Sequence, residues 1–348
     1  MHSPTQTTQH PGHFWTVLRW GIGLGLAGLT TWLSLREVNW TGLKAAISRP
    51  NWLFLLVALS TVLATTAAKA FRWQVLLRPC HLDSAPGWRI MRLLFTGQIV
   101  NTLVPRLGDL ARAVLLGPQA TGHAPAVLGT IIAEKALDGI AGLLVVTALA
   151  LRSPLPVWLR GPMFSLAILT GGLLLLLVLA ARQQPWAIRL YQRVITWLPP
   201  GVQERAGRLL GGLALGLGLL GRPTDTFLAL TWTAGVWGLA VATNLVTLAA
   251  LGISTPPWSV WLVLIAVYVA TFLPTVPVQI GVFEYACILA LETAGVEPDQ
   301  ALAFGLVLHF LVYAPVVVFG PVSMAIEGLD WEGLKIIHKT QEVDCASQ

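Results

Sequence analysis

Charge is what this sequence has least of. Asp, Glu, Lys and Arg make up 11% of its 348 residues, against roughly 25% in soluble domains. Cysteine is nearly as scarce. Cys80, Cys287 and Cys345 stand apart from one another and from any metal-spaced histidine, which excludes a disulfide framework and a zinc site. Strand-like alternation of polar and apolar residues is missing too, which excludes a β-barrel of the outer-membrane kind. The opening residues, MHSPTQTTQHPGHFW, carry no basic n-region, and no clear cleavage site follows the first apolar run. The expectation is a short polar tail over 1–13 and a retained first helix, not a signal peptide.

What is present is apolar. Hydrophobic residues reach 55%, with 15 tryptophans, the composition of a polytopic helical membrane protein. The net charge of +6 is spread over the connecting loops. That suits anionic lipid headgroups better than nucleic acid, so membrane lipids are the expected partners and nucleic acid is not. No soluble segment is long enough for a catalytic domain, no nucleophile–base constellation stands out, and no cofactor or metal is expected.

Runs of about 20 apolar residues are needed to span a bilayer. Six qualify: 14–35, 52–76, 126–151, 159–181, 227–251 and 301–325. Two further runs are cut mid-length by proline and glycine with an acid just beyond. The first carries Pro105, Gly108 and Asp109; the second carries Pro274, Pro277, Gly281 and Glu284. Broken backbone at membrane depth is tolerated only where protein or a watery cavity satisfies it. Such breaks in corresponding halves point to a transporter's substrate site. The expected fold is therefore all-α: about six full spans plus two opposed re-entrant helical hairpins, near 90–117 and 258–291. The transmembrane domain would cover 14–326, followed by a charged tail over 327–348.

Six arginines, Arg182, Arg189, Arg193, Arg205, Arg208 and Arg222, fall between the fourth and fifth spans. By the positive-inside rule that loop, 182–224, is cytosolic. Counting outward puts both termini in the cytosol and the two hairpins on opposite sides. The stretch WAIRLYQRVITWL within the loop reads equally well as an interfacial amphipathic helix and as a packed connector.

Ionisable residues inside apolar sequence are the most informative, because each costs about 2.5–3.5 kcal/mol at a helix centre on insertion scales and so needs an interior partner. Arg106, Asp109 and Arg112 are spaced by three. They form a net cationic face beside a break that frees backbone N–H groups, a setting suited to an anion. Lys69 and Arg72 end the second span. In the third, Lys135 and Asp138 are spaced to pair, while Glu134 and Asp138 share a face. The surplus acid either meets Lys69 or Arg72 across the bundle or serves a proton or ion. Glu284 has no base near it in sequence, and reads as a titrating carboxylate or as a partner for the first hairpin's arginines. His309 reads as a hydrogen-bonded core histidine. GLGLAG at 23–28 and GLGLLG at 216–221 match GxGxxG without the strand context a dinucleotide site requires.

Three motifs carry a resemblance. N-x-x-x-P-R-x-G-D-x-x-R-A (Asn101 to Ala113), E-K-x-x-D (Glu134 to Asp138) and P-x-x-P-x-x-x-G-V-F-E (Pro274 to Glu284) resemble the lysylphosphatidylglycerol synthase transmembrane-domain, or flippase-like, family. The segment from Ala294 to Phe304 fits the same pattern. Lys135 stands where that family more often has arginine. The resemblance implies an integral inner-membrane protein with two re-entrant hairpins that moves polar lipids between leaflets. The cargo so implied is a phospholipid, a polyprenyl-linked glycolipid or a hopanoid. The candidate substrate-binding set, from the breaks and the charges beside them, is Arg72, Asn101, Pro105, Arg106, Gly108, Asp109, Arg112, Pro274, Pro277, Gly281 and Glu284. Lys69, Glu134, Lys135 and Asp138 are the ion-pair or coupling candidates. A non-catalytic scaffold for a lipid-modifying enzyme is the alternative.

Overall fold

The structure is a computed structural model. It describes residues 12–36, 38–82, 85–104, 107–121, 123–152, 155–182, 207, 209, 211–218, 222–271 and 277–329. Every regular element among them is helical. Six long helices stand where six spans are expected: α1 (Gly12–Arg36), α3 (Trp52–Leu77), α6 (His123–Arg152), α7 (Val157–Arg182), α8 (Pro223–Ala250) and α11 (Pro298–Ile326). Four segments are both long and apolar enough to cross a membrane: Trp52–Cys80, Val157–Leu175, Pro223–Ala250 and Pro298–Ile326. Helix α6 has the length, but it carries Glu134, Lys135, Asp138 and Arg152. A short helix absent from the sequence reading, α2 (Trp40–Ser48), fills the first loop.

Local chemistry sets the ends. Asn51 caps α3 by accepting from the N–H groups of Leu53 and Phe54. Pro223 and Pro298 open α8 and α11, where a missing N–H costs nothing. Gly252 and Gly295 follow α8 and the helix before α11 with φ of 66° and 82°, the left-handed stop that glycine permits.

Between the long helices lie two short pairs. The first is α4 (Gly87–Leu103) with α5 (Leu107–Leu116); the second is α9 (Ser259–Ala270) with α10 (Val282–Thr293). At 1.5 Å per residue, the 12 residues of α9 and of α10 each rise about 18 Å. That falls well short of the ~30 Å hydrocarbon core. The 10-residue α5 is shorter still.

The long helices α3 and α8 pack antiparallel over their whole length. The Asn51 N–H donates to Ala250 O at 2.8 Å at one end, Thr61 and Thr243 hydroxyls meet at 2.9 Å midway, and Arg78 pairs with Asp225 at 2.5 Å at the other. Each of them opens the same order of elements: long helix, short pair, long helix. The interval from Leu107 to Val282, the starts of α5 and α10, equals that from His123 to Pro298, the starts of α6 and α11. Packing repeats as well. Helix α4 lies on α11 and α9 lies on α6, so the first arm of each short pair rests on the last long helix of the other half. The chain is thus two interlocked, inverted halves.

Candidate functional site

Arg72 is the centre of the first half. Its side chain has no exposed surface. Nη1 donates to Asp138 Oδ1 at 2.5 Å and to Thr233 Oγ1 at 3.4 Å; Nη2 donates to Glu134 Oε1 and Asp138 Oδ2, both at 3.1 Å. A guanidinium presents its donors in a planar fork, and here the fork joins α3, α6 and α8. Arg112 on α5 holds the other side of Glu134, with Nη1 at 3.4 Å from Oε2, and its Nη2 donates to Asp109 at 2.8 Å. The Arg112 guanidinium also lies over the Trp73 ring, 4.8 Å from its centroid. Trp73, fully buried, is fixed by donating Nε1–H to Thr130 Oγ1 at 3.1 Å.

Two glycines and an amide let α5 approach this closely. A Cβ on Gly108 would collide with the carbonyl oxygen of Gly97, and one on Gly97 would sit 2.8 Å from the Arg112 side chain. Asn101 on α4 accepts from the Gly108 N–H at 2.8 Å. It caps α5 from across the turn, so the first motif's Asn, Gly, Asp and Arg form one unit.

The sequence pairing of Lys135 with Asp138 is not what the fold adopts. Asp138 is drawn to Arg72, and Lys135 Nζ lies 3.7 Å from Asp109 instead. The side chain of Lys135 is 48% exposed and that of Asp109 25%. They form the open edge of a cluster whose arginines are enclosed. Lys69, one turn before Arg72, lies within electrostatic range of Asp138 and Glu134 and makes no hydrogen bond among the described residues. Four cations thus face three carboxylates. Arg112 is bonded to two of those carboxylates rather than left free. Of the two expected destinations for the α6 acids, Arg72 is the one they reach. Pro105, Arg106 and Pro274 lie outside the described residues, as does most of the loop at 182–224.

The second half is built from different chemistry. Pro277 opens a short 3-10 turn in which Val278 and Gln279 take φ of 65° and 59°. Gly281, at φ 86°, leads into α10, and a Cβ there would meet Thr31 on α1. Glu284 Oε2 accepts from the Gly281 N–H at 2.8 Å. Its other oxygen, Oε1, lies 2.5 Å from His309 Nδ1 on α11. Glu284 therefore has a base, supplied from α11 rather than from the first hairpin's arginines. His309 is a hydrogen-bonded core histidine, tilted between Phe283 and Tyr313, but its buried Nε2 has no partner among the described residues. Glu134 and His309 occupy the same place in α6 and α11, as Asp109 and Glu284 do in α5 and α10. No hydrogen bond or ion pair joins the two clusters among the described residues. Outside both, Glu327 receives Arg89 and Arg92 of α4, a tie that sequence spacing does not reveal.

Residues 20–320 match the family described as the lysylphosphatidylglycerol synthase TM region. The chain belongs to that family. It is a multi-pass membrane protein of a lipid-related family, and the matched region is the transmembrane part, not a catalytic one. No curated protein and no solved structure matches it.

Proposed function

We propose that this protein moves an anionic or phosphate-linked lipid between the leaflets of the cytoplasmic membrane, acting as a transporter and not as an enzyme. The candidate cargo is a phospholipid, polyprenyl-linked glycolipid or hopanoid. The observation that carries this reading is the open edge of the first cluster. Lys135 lies midway along α6 with its side chain 48% exposed. An ammonium at that depth is too expensive to face lipid tails. It needs a watery cavity or an anionic headgroup, and Asp109 is its only ion-pair partner among the described residues.

In this mechanism Arg72 and Arg112 hold α3, α5 and α6 in place. Lys135, Lys69, the α5 N-terminus and Arg106 beside it receive the phosphate, and the acyl chains stay in the bilayer. The short pairs act as opposed re-entrant hairpins, and the inverted halves supply the two alternately exposed states. Both termini are cytosolic, the orientation that the arginines before α8 favour.

The test is leaflet exchange of labelled phosphatidylglycerol and of a labelled polyprenyl phosphate in proteoliposomes. Wild type should exchange one of them. Lys135→Ala and Arg106→Ala should each weaken headgroup affinity about tenfold, the loss of one charge-assisted contact. Equal rates in wild type and both variants would remove the open edge from the mechanism. No exchange of either lipid by wild type would favour a scaffold for a lipid-modifying enzyme. Cysteine labelling of 182–222 from the periplasmic side would overturn the orientation.

A further inference from the structure

We infer that the Glu284–His309 pair is a proton-binding site that couples hairpin movement to a proton gradient. The inference rests on the transport reading above and supplies its energy source.

The geometry points to a proton for three reasons. First, the contact at 2.5 Å between Glu284 Oε1 and His309 Nδ1 requires a hydrogen between the two atoms, since two facing lone pairs would repel. If imidazole donates that hydrogen, Nε2 is left as a bare acceptor. That nitrogen is buried and has no partner among the described residues. The pair then carries one net negative charge, and one added proton makes it neutral. Histidine is the side chain whose ordinary range makes such a change accessible near neutral pH.

Second, among the described residues Glu284 and His309 form no ion pair except with each other. The other titratable groups near Glu284 are Tyr285 and Cys287 on α10 and Tyr313 on α11. Helix α9, packed on α10, carries no charged residue. Helix α1 presents Ala27, Thr30 and Thr31 to Gly281. Arg89 and Arg92 of α4 are engaged by Glu327 at the far end of α11, and Arg72 of α3 by Glu134 and Asp138. On α2, packed on the start of α11, the one charged residue is Lys44, beside Gly42, which touches Asp299 in the first turn of α11. Asp225 of α8 is held by Arg78. Among the described residues no fixed cation pairs with Glu284, in contrast to Asp109 between Arg112 and Lys135.

Third, the site is mechanically placed. The same carboxylate that meets His309 also caps α10 through the Gly281 N–H. Gly281 ends a turn with three positive-φ residues in four positions, Val278, Gln279 and Gly281. A proton taken up at Nε2 turns the contact into an imidazolium–carboxylate pair, tightens the hold of Glu284 on α11 and latches the turn. Loss of that proton leaves a neutral imidazole and a weaker contact, and frees the turn. Each cycle carries one proton past a hinge.

Two ligand-independent measurements on the full-length protein in nanodiscs test the site. The His309 ring should gain a proton on acidification, followed by NMR with labelled histidine over a pH range of 9 to 5, and Glu284→Gln should alter that change. Amide exchange at 277–284, corrected for intrinsic rate, should slow on acidification in wild type and lose that dependence in Glu284→Gln. A His309 ring that keeps one protonation state across the range overturns the proposal without recourse to any variant. Coupling is read separately, in proteoliposomes with the membrane potential clamped and labelled phosphatidylglycerol as probe. A one-unit pH gradient should bias its steady-state distribution about tenfold for one proton per cycle, and His309→Gln should abolish the bias. Exchange indifferent to the gradient overturns the coupling. A titrating ring with no lipid exchange overturns the transport reading and the coupling, and upholds the proton site.

Discussion

The two halves of this chain share one layout and differ in what they place at its key positions. In the first half, the acid in the opening turn of the short helix is Asp109, clamped by Arg112 and Lys135; in the second it is Glu284, facing His309. At the matching place in the following long helix, the first half has Glu134 under two arginines and the second has His309. One half therefore holds its acids among arginines and lysines, and the other sets its acid against a histidine. Duplicated geometry makes the halves interchangeable as frameworks, while residue identity divides the labour between anchoring and switching.

The largest effect should come from breaking the fixed half. Arg72→Met leaves buried Glu134 and half-buried Asp138 without their fork. Removing one partner of a buried pair typically costs about 3–5 kcal/mol, so thermal unfolding in detergent should show a sharply lowered midpoint and reduced yield. Arg72→Lys should recover little of it, because one ammonium cannot present a planar fork to two carboxylates. In the second half, His309→Gln retains a hydrogen-bonding group beside Glu284 and should unfold close to wild type. Equal losses in the two variants would erase the distinction between anchor and switch.

A smaller effect should separate the two crossings. A methyl at Gly108 runs into the Gly97 carbonyl oxygen, a backbone atom with no means of yielding. At Gly305, where α11 meets α10, the nearest atoms to an added methyl, Cys287 Cβ and Glu284 Cα, are 3.3 Å away. Gly108→Ala should therefore cost on the order of 1–3 kcal/mol, the range for overpacking, and Gly305→Ala distinctly less. Unfolding midpoints of the two variants measured side by side would decide it. The reverse order would mean that the first hairpin is the looser of the two.

The long helices were legible in the sequence because length and hydrophobicity announce themselves whatever a helix packs against, and four of them are long and apolar enough to cross a membrane. The short pairs were legible from their proline and glycine breaks. Pairing partners were not. Lys135 and Asp138 are correctly spaced for a helical pair, yet Arg72 from α3 offers Asp138 two donors and wins it. Residues that meet across the bundle, such as Arg72 with Thr233 or Glu284 with His309, lie too far apart in sequence for spacing to suggest them. The equal intervals between the halves were available as numbers. They gain meaning only once helix starts are known, and starts are the least legible part of a helix. His309 read alone was a core histidine; read against Glu134 in the other half, it marks the changed position.

The smallest effect concerns how each short helix is capped. In the second half the cap is local, since Glu284 reaches back three residues to Gly281. In the first it is remote, since Asn101 on α4 reaches across the turn to Gly108. A remote cap ties the two arms of the pair together as well as satisfying an N–H group that the helix itself leaves unpaired. Asn101→Ala should cost about 1 kcal/mol, the usual loss for such a cap, and Asn101→Asp should restore most of it by keeping the acceptor. The sharper readout is amide exchange at 107–110, which should rise in Asn101→Ala while 282–285 stays as protected as in wild type. If both segments loosen together, the hairpins are coupled through the interlocked long helices, and a change of state in one half is felt in the other.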